Sequence, residues 1–414
     1  MSDLKPVRGT HDILPEEHRR HRHVGDTARD IAALYGYEEM STPIFESTDV
    51  FRRTLGETSD VVTKEMYSFE DKKGRSLALR PEGTAGVARA FISGLRSEPL
   101  PLKLFYQGPM FRYERMQKGR QRQFHQFGIE LLGVADPQGD IEIITLGAHI
   151  LDALGIADKV TLQLNTLGDA ESRQAYRGIL VDYLEGFRGG LSKDSLDRLE
   201  RNPLRILDSK DQGDKAIVAD APKLSDHLNA ESEDFFVAVK GGLDAAGVSY
   251  EINPTLVRGL DYYCHTAFEF VTDTLGAQGA VLAGGRYDGL IEAMGGPSTP
   301  GTGWAAGIER LALMIAAPPP PVPAIAIIPV GDDAEAEAQA QAARLRHAGF
   351  TVDLGFSGNL KKRLDRANKA NAAAAVILGP DELAKGAATV RDMETGEQTE
   401  VPLSSLQDHL ARYR

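Results

Sequence analysis

Two segments with alternating apolar and polar residues flank a polar, glycine-containing loop. They occupy residues 102–113 and 123–132, and the period of two predicts β-strands. Positions 127, 129 and 131 carry Phe, Ile and Leu and share one face of the second strand, whereas Gln126 and Glu130 share the other. We therefore predict an antiparallel hairpin with an apolar core face, a polar face and a long tip.

The remaining pattern before residue 318 is mixed. Apolar runs at 256–270 and 280–283 predict a further strand pair, and residues 304–316 predict a helix. Residues 169–245 are charged and typical of helices. The sequence therefore predicts an α+β domain at 1–317, with antiparallel strands, helices and a helical insertion at about 169–245.

A proline-rich segment separates this domain from the rest of the chain. Prolines at 318–321 and 323 cannot continue a helix or enter a central strand, so 318–323 is predicted to be a stiff linker. Strand and helix patterns then alternate, at 324–330, 332–348, 351–356, 359–370 and 373–378. This alternation predicts a small α/β domain at 324–414 with mostly parallel strands.

Composition narrows the classes of protein. The 414 residues contain one cysteine, Cys264, which excludes an internal disulfide and a cysteine-cluster metal site. No apolar run or hydrophobic N-terminal core is long enough for a membrane anchor or signal, so we expect a cytoplasmic protein without membrane association. The net charge of -13 argues against a general nucleic-acid coat.

Positive charge is nevertheless concentrated in two places. The hairpin tip has five Arg and Lys residues between positions 112 and 122, and the predicted helix at 359–370 has a basic face. The cationic side chains considered for nucleic-acid contacts are Arg115, Lys118, Arg122, Lys361, Lys362, Arg366 and Lys369. For both segments the alternative is an ordinary solvated surface.

Other segments combine glycine with polar side chains. They are residues 79–84, 256–263, 283–289 and 301–311. In the first of these segments, Glu82 either caps a helix or binds a ligand. None matches the dinucleotide glycine pattern or a P-loop. The histidines at 11, 18, 21 and 23 lack nearby carboxylate or cysteine partners in the pattern, so we expect surface residues and no protein metal site.

In this order, these segments closely resemble the bacterial type of the histidyl-tRNA synthetase family. Residues 37–46 resemble the first class II motif, 111–130 the second and 301–311 the third, while 258–263 resembles the motif that distinguishes the histidine enzymes. The resemblance implies a class II catalytic domain, an anticodon-binding domain and a homodimer. It also implies ATP, L-histidine and tRNA(His) as substrates, with Mg²⁺ as cofactor.

The resemblance also implies roles for individual residues. The histidine-binding set is Glu82, Thr84, Gln126, Glu130, Tyr262, Tyr263 and Tyr287. The catalytic pair is Arg112 and Arg258, on the α-phosphate, and the ATP-binding set is Arg112, Arg120, Arg258 and Arg310. Arginine suits this role because it stays protonated and donates in pairs.

One feature departs from the family pattern: Met116 follows Arg115 where proline is expected, and Gln121 separates two arginines. This leaves open how the loop contacts the acceptor stem, including an extra 5′ guanosine.

The alternative function is a histidine-sensing regulatory paralogue that controls ATP phosphoribosyltransferase. Such paralogues lose the Arg258 segment and the anticodon domain, and this sequence has both. A non-catalytic RNA-binding module would not need Arg112, Arg258 and Arg310 together.

Overall fold

The computed structural model describes residues 4–56, 59, 61–116, 119–257, 262–276 and 279–414. The chain forms two compact units, Met1–Pro318 and Pro319–Arg414, and their boundary lies within the proline-rich segment. Within the described ranges, no helix combines the length and apolar character needed to cross a membrane.

The first unit contains both long helices and an extensive set of strands. Its helices are α1 Pro15–Leu34, α2 Thr48–Leu55, α3 Thr84–Ala90, α4 Pro137–Ala153, α5 Ala170–Glu185, α6 Lys193–Arg201, α7 Gln212–Val218, α8 Ala230–Ala245, α9 Leu290–Ala293 and α10 Ile308–Ala312. Its strands are β1 Glu38–Met40, β2 Phe45–Ser47, β3 Ser68–Glu70, β4 Ser76–Leu79, β5 Leu102–Phe111, β6 Gln123–Leu132, β7 Thr161–Thr166, β8 Glu251–Ile252, β9 Cys264–Val271, β10 Ala280–Arg286 and β11 Gly301–Gly307.

An eight-stranded sheet in the order β1-β5-β6-β11-β10-β9-β7-β8 is the centre of this unit. The predicted β5–β6 hairpin is confirmed, with Leu102 opposite Leu132 and Phe111 opposite Gln123. The inner pairs are antiparallel, but β1 is parallel to β5 and β8 is parallel to β7, so the sheet is mixed. A smaller sheet, β2-β4-β3, is entirely antiparallel.

The helix predicted at 304–316 is wrong for its first residues. Gly301–Gly307 forms strand β11, which pairs with β6 on one side and β10 on the other, and the helix starts only at Ile308. A Cβ on Gly303 would lie 2.0 Å from Glu130 Oε2, so glycine is needed there for close contact between neighbouring strands. The small residues of this segment therefore belong to a crowded central strand.

The charged segment 169–245 is helical, as predicted, but its last helix does not form a separate core. Phe236, Val239 and Leu243 of α8 are buried in the same hydrophobic cluster as strands of the main sheet. Helices α5 to α7 contribute to a second cluster, in which Tyr176 and Leu180 are buried together with Tyr263 and Tyr287. The helical segment therefore packs directly against strands of the main sheet and against Tyr263 and Tyr287.

The second unit has its own core. Its strands are β12 Ile325–Pro329, β13 Val352–Leu354, β14 Ala374–Leu378, β15 Ala387–Asp392 and β16 Gln398–Pro402, and its helices are α11 Glu335–His347, α12 Leu360–Lys369, α13 Pro380–Ala384 and α14 Leu406–Leu410. The sheet order is β13-β12-β14-β15-β16. Strands β12 to β14 are parallel as predicted, but β15 and β16 are antiparallel, so the prediction of mostly parallel strands is wrong at this edge.

A buried ion pair joins the main sheet to α4. Arg286 at the end of β10 and Asp140 in the first turn of α4 have no exposed side-chain surface. Arg286 Nε donates to Asp140 Oδ2 at 2.9 Å, and Nη1 donates to the carbonyl of Val134 at 2.8 Å and to Asp288 at 3.0 Å. Arg286 is thus fully used by the fold, which explains its place in a glycine-rich segment without a ligand.

Asp140→Asn is expected to destabilise the first unit. The change removes the fully buried counter-charge of the guanidinium and leaves only the part-exposed Asp288, which costs about 3–5 kcal/mol of unfolding free energy. Urea unfolding can be followed by the fluorescence of Trp304, the only tryptophan, which is buried in β11. Asp26→Asn, which removes an exposed pair with Arg29, is the matched control and should leave the midpoint unchanged. Equal midpoints for the two variants would contradict the assignment.

Candidate active site

A fully buried carboxylate lies in the middle of the main sheet. Glu130 on β6 has 0% exposure. Thr84 Oγ1 donates a hydrogen bond to its Oε1 at 2.6 Å, and the Tyr287 hydroxyl donates to its Oε2. Burial raises the pKa of Glu130 to about 8, although the two donors act in the opposite direction. The site therefore contains a carboxyl group that is poised to change its protonation state near neutral pH.

A second buried carboxylate, Glu82, caps helix α3. Its side chain accepts from the backbone N–H of Thr84 at 2.6 Å and from that of Ala85 at 2.9 Å. The capping interpretation of Glu82 is thus confirmed. Burial raises the pKa of Glu82, and these backbone donors lower it. By fixing the start of α3, Glu82 places the Thr84 hydroxyl against Glu130.

Tyrosine rings form one wall of this site. The rings of Tyr262 and Tyr263 are 4.5 Å apart, and Tyr262 makes an edge contact with Tyr287 at 5.8 Å. The hydroxyls of Tyr262 and Tyr263 are 3.5 Å apart. The structure therefore brings together six of the seven predicted histidine-binding residues: Glu82, Thr84, Glu130, Tyr262, Tyr263 and Tyr287.

The seventh, Gln126, lies further along β6 towards the hairpin loop. Three residues of strand lie between it and Glu130, and the four residue steps span roughly 13 Å. Its Oε1 is buried without a hydrogen-bond partner among the described residues. A buried amide oxygen of this kind is suited to a ligand that supplies a donor.

Tyr106 is a site residue that the sequence analysis missed. It is buried on β5, directly opposite Gly128, and its ring fills the space left by that glycine. Burial raises the pKa of Tyr106 well above its ordinary value, and the nearby Glu130 acts in the same direction, so the phenol stays neutral. The signal was available in the hairpin register, since a tyrosine opposite a glycine gap fills that gap.

Arginines gather at the loop end of the sheet. Arg310 follows β11 in helix α10, and its buried Nε and Nη2 have no hydrogen-bond partner in the described part of the chain. Burial lowers the pKa of Arg310, and the positive charge of Arg120 lowers it further. Arg120 is paired with Glu114 at 2.6 Å, and Arg112 lies 3.6 Å from the same carboxylate. Arg112 Nε also donates to the carbonyl of Pro81 at 2.7 Å, which ties this cluster to the capping segment.

The other loop cations lie in different surroundings. The guanidinium of Arg122 stacks on Tyr113 at 3.6 Å, and its backbone N–H donates to the carbonyl of Gly9. Arg122 therefore anchors the N-terminal segment, while Arg115 is exposed. Lys118 and Arg258 lie outside the described residues.

In the second unit, α12 presents the predicted basic face to solvent. Lys361, Lys362, Arg366 and Lys369 are exposed, and Ala367 is buried on the opposite face. Asn359 caps the helix by accepting from the Lys362 N–H at 3.0 Å. Arg363 is used internally, donating to the carbonyls of Gly358 and Pro329.

Comparisons with known proteins match both units of the chain. The family described as "Histidyl-tRNA synthetase" matches residues 9–311, and "Anticodon binding domain" matches residues 324–413. The chain is 61% identical to the histidine–tRNA ligase of Rhodospirillum rubrum over 414 residues, covering 100% of both chains. It is 56% identical to that of Gluconacetobacter diazotrophicus, covering 99% of each. It also resembles the crystal structure of apo histidyl-tRNA synthetase from S. aureus, with a TM-score of 0.83, 37% identity and coverage of 98% and 99%.

The buried Glu130 is expected to make stability depend on pH. Because its pKa is raised in the folded state, its contribution is fully present below about 4.5 and is lost as the pH rises towards 8. Glu130→Gln should therefore flatten the fall in unfolding free energy between these values, by at most about 1.4 kcal/mol per pH unit. Urea unfolding of the unliganded protein, followed by Trp304 fluorescence, measures both slopes. An exposed control, Glu185→Gln, should keep the wild-type slope, and an unchanged slope in Glu130→Gln would refute the buried carboxyl's role.

Proposed function

The chain belongs to the histidyl-tRNA synthetase family, and from this premise we propose that it activates L-histidine with ATP and transfers the histidyl group to the 3′ end of tRNA(His). The observation that supports this most directly is the buried Glu130, held between two hydroxyls at the centre of the sheet. A polar, desolvated pocket of this kind suits a small polar side chain.

Glu130 and the tyrosines are proposed to select histidine. The carboxylate would accept from one imidazole N–H, while a tyrosine hydroxyl would serve the other ring nitrogen. Glutamine or phenylalanine would leave such buried groups unpaired, and sites of this type discriminate by roughly 10⁴-fold or more. We therefore expect no editing site in this protein.

The arginine cluster is proposed to hold ATP. The histidine carboxylate is already anionic, so its attack on the α-phosphate needs charge neutralisation and alignment and no general base. Arg112 and Arg258 are assigned to the α-phosphate, Arg120 to the outer phosphates and Arg310 to ATP. The unpartnered nitrogens of Arg310 support its role, because an anion would supply the missing acceptors. Pyrophosphate is the leaving group, and the adenylate then reacts with the terminal ribose of the tRNA.

The donor chemistry beside this cluster fits Mg²⁺. The charges of Glu114 and Glu269 both raise the pKa of Arg310, so two carboxylates lie in the surroundings of this arginine. Oxygen ligands of this kind are those Mg²⁺ prefers, together with substrate phosphates. We assign Glu114 and Glu269 to the ion, which when bound would neutralise phosphate charge.

Two surfaces are proposed for tRNA. The loop cations Arg115, Lys118 and Arg122 would face the acceptor end, although Arg122 also anchors the N-terminal segment. The exposed face of α12 would meet the anticodon arm. Phe356, which is 78% exposed shortly before α12, offers a ring for stacking with an unpaired base.

A homodimer built around residues 37–46 is also proposed. Ile44, Phe45 and Phe69 are exposed apolar side chains at or on the small β2-β4-β3 sheet, and a second copy would cover them. The regulatory alternative is disfavoured, because full-length identity of 61% relates the chain to a ligase and the anticodon domain is present.

Arg310→Gln is expected to reduce adenylate formation by about 10²- to 10³-fold, because one preorganised donor group for the phosphates is lost. The measurement is histidine-dependent ATP/pyrophosphate exchange, and Arg258→Ala should show a comparable loss.

Arg391→Gln is the matched control for Arg310→Gln. Arg391 also has a buried Nε without a partner among the described residues, but it lies in the second unit, so exchange should be unchanged. Exchange by Arg310→Gln at the rate of this control would overturn the phosphate assignment.

Charge reversal on α12 is expected to separate the two reaction steps. The double variant Lys362→Glu, Arg366→Glu should raise the KM for tRNA(His) in charging and leave exchange intact, because only the phosphate contacts of the tRNA are lost. Charging of purified tRNA(His) at two salt concentrations measures this. Asp365→Lys, which adds positive charge beside the same face, is the opposite-charge control. Equal losses of charging and exchange would contradict the assignment.

A further inference from the structure

Two histidines and a glutamate from three separate elements meet beside the main sheet. His21 lies on α1, His125 on β6 and Glu309 on α10. One ring nitrogen from each histidine and one carboxylate oxygen lie within 4.8 Å of one another. The expectation that His21 is an isolated surface residue is therefore wrong, because helix α1 places it against residues distant in sequence.

The cluster is enclosed and already oriented. The side chains of His21 and Glu309 are 10% and 9% exposed, and that of His125 is 26% exposed. His125 Nδ1 lies 2.9 Å from Glu309 Oε1. The backbone N–H of His125 also contacts both carboxylate oxygens of Glu309, at 2.8 and 3.0 Å, and fixes their direction.

We infer that His21, His125 and Glu309 form a binding site for a divalent transition-metal cation, for which Zn²⁺ is the probe. Two imidazoles and one carboxylate are a ligand set that Zn²⁺ accepts, with a fourth position left for water. Ligand atoms around tetrahedral Zn²⁺ are roughly 3.3 Å apart. The 2.9 Å contact is close to this spacing, and a ring nitrogen of His21 lies no more than 4.8 Å from the other two ligand atoms.

A second carboxylate lies outside the proposed ligands. Glu17 Oε1 is 3.9 Å from His21 Nε2 and 2.9 Å from His11 Nε2. Carboxylates beside metal-binding histidines hold the ring orientation and raise its basicity. The charge of Glu17 raises the pKa of His21, and the charge of His11 lowers it.

The position of the site gives it a consequence for the fold. His125 is next to Gln126 on β6, and Glu309 is next to Arg310 on α10. A bound cation would therefore tie α1 to the two elements that present these groups. The site is separate from the Mg²⁺ position assigned to Glu114 and Glu269.

The test is calorimetric titration of the full-length chain with ZnCl₂, using protein without an affinity tag that has been dialysed against a chelator. The expected result is one tight site per chain, weakened by about 10-fold or more in His21→Gln. His347→Gln, which removes an exposed histidine of the second unit, should bind as wild type. Zn²⁺ should also raise the Tm reported by Trp304 in wild type and not in His21→Gln.

Three outcomes would overturn the site: no saturable binding, equal binding by His21→Gln, or a loss of binding in His347→Gln. Glu309→Gln provides a second ligand variant, and His21→Gln keeps the test valid if that protein folds poorly. Substituting Co²⁺ for Zn²⁺ gives an independent readout, because tetrahedral coordination produces intense visible absorption. Binding is read directly, so the result does not depend on aminoacylation.

Discussion

The arrangement of the first unit depends on one buried carboxylate. A carboxyl group without exposed surface is costly unless its oxygens have donors, and Glu130 receives hydrogen bonds from Thr84 and Tyr287. Each donor is positioned by a different segment. Glu82 fixes the start of α3, where Thr84 lies, and Tyr287 directly follows strand β10. Gly303 on the neighbouring strand has to lack a side chain, because any Cβ would meet the carboxylate. The pocket is therefore a property of four chain segments acting together.

Arginines serve two physically distinct purposes in this unit. Arg286 is buried with its nitrogens directed at Asp140, Asp288 and backbone carbonyls, so it belongs to the framework. Arg310 is also largely enclosed, but two of its nitrogens have no partner among the described residues. An unpaired buried guanidinium is tolerated where an anionic ligand completes it. This difference separates a structural arginine from a binding one in a chain with a net charge of -13.

On strand β6 and helix α10, adjacent residues point in different directions, so a structural residue is the sequence neighbour of a proposed site residue. On β6, His125 turns towards Glu309 while Gln126 turns to the polar face. On α10, Glu309 accepts from His125 and its neighbour Arg310 faces the arginine cluster. The same two segments thus hold the phosphate region and the three-residue cluster with His21. A shift of His125 or Glu309 would therefore also move the adjacent residue, Gln126 or Arg310.

The sequence by itself determined the hairpin, the linker, the alternating elements of the second unit and most members of the pocket. The first three follow from local signals such as the period-two alternation at 123–132, the prolines at 318–323 and the amphipathic pattern of α12, whereas the members of the pocket follow from the family resemblance. The tertiary structure decided the rest. Gly301–Gly307 is a strand because β6 and β10 pair with it on both sides, which no local propensity reveals. Tyr106 enters the site through cross-strand register, and His21 meets His125 and Glu309 through helix packing. Both depend on contacts between residues far apart in the chain, and a local pattern carries no information about such contacts.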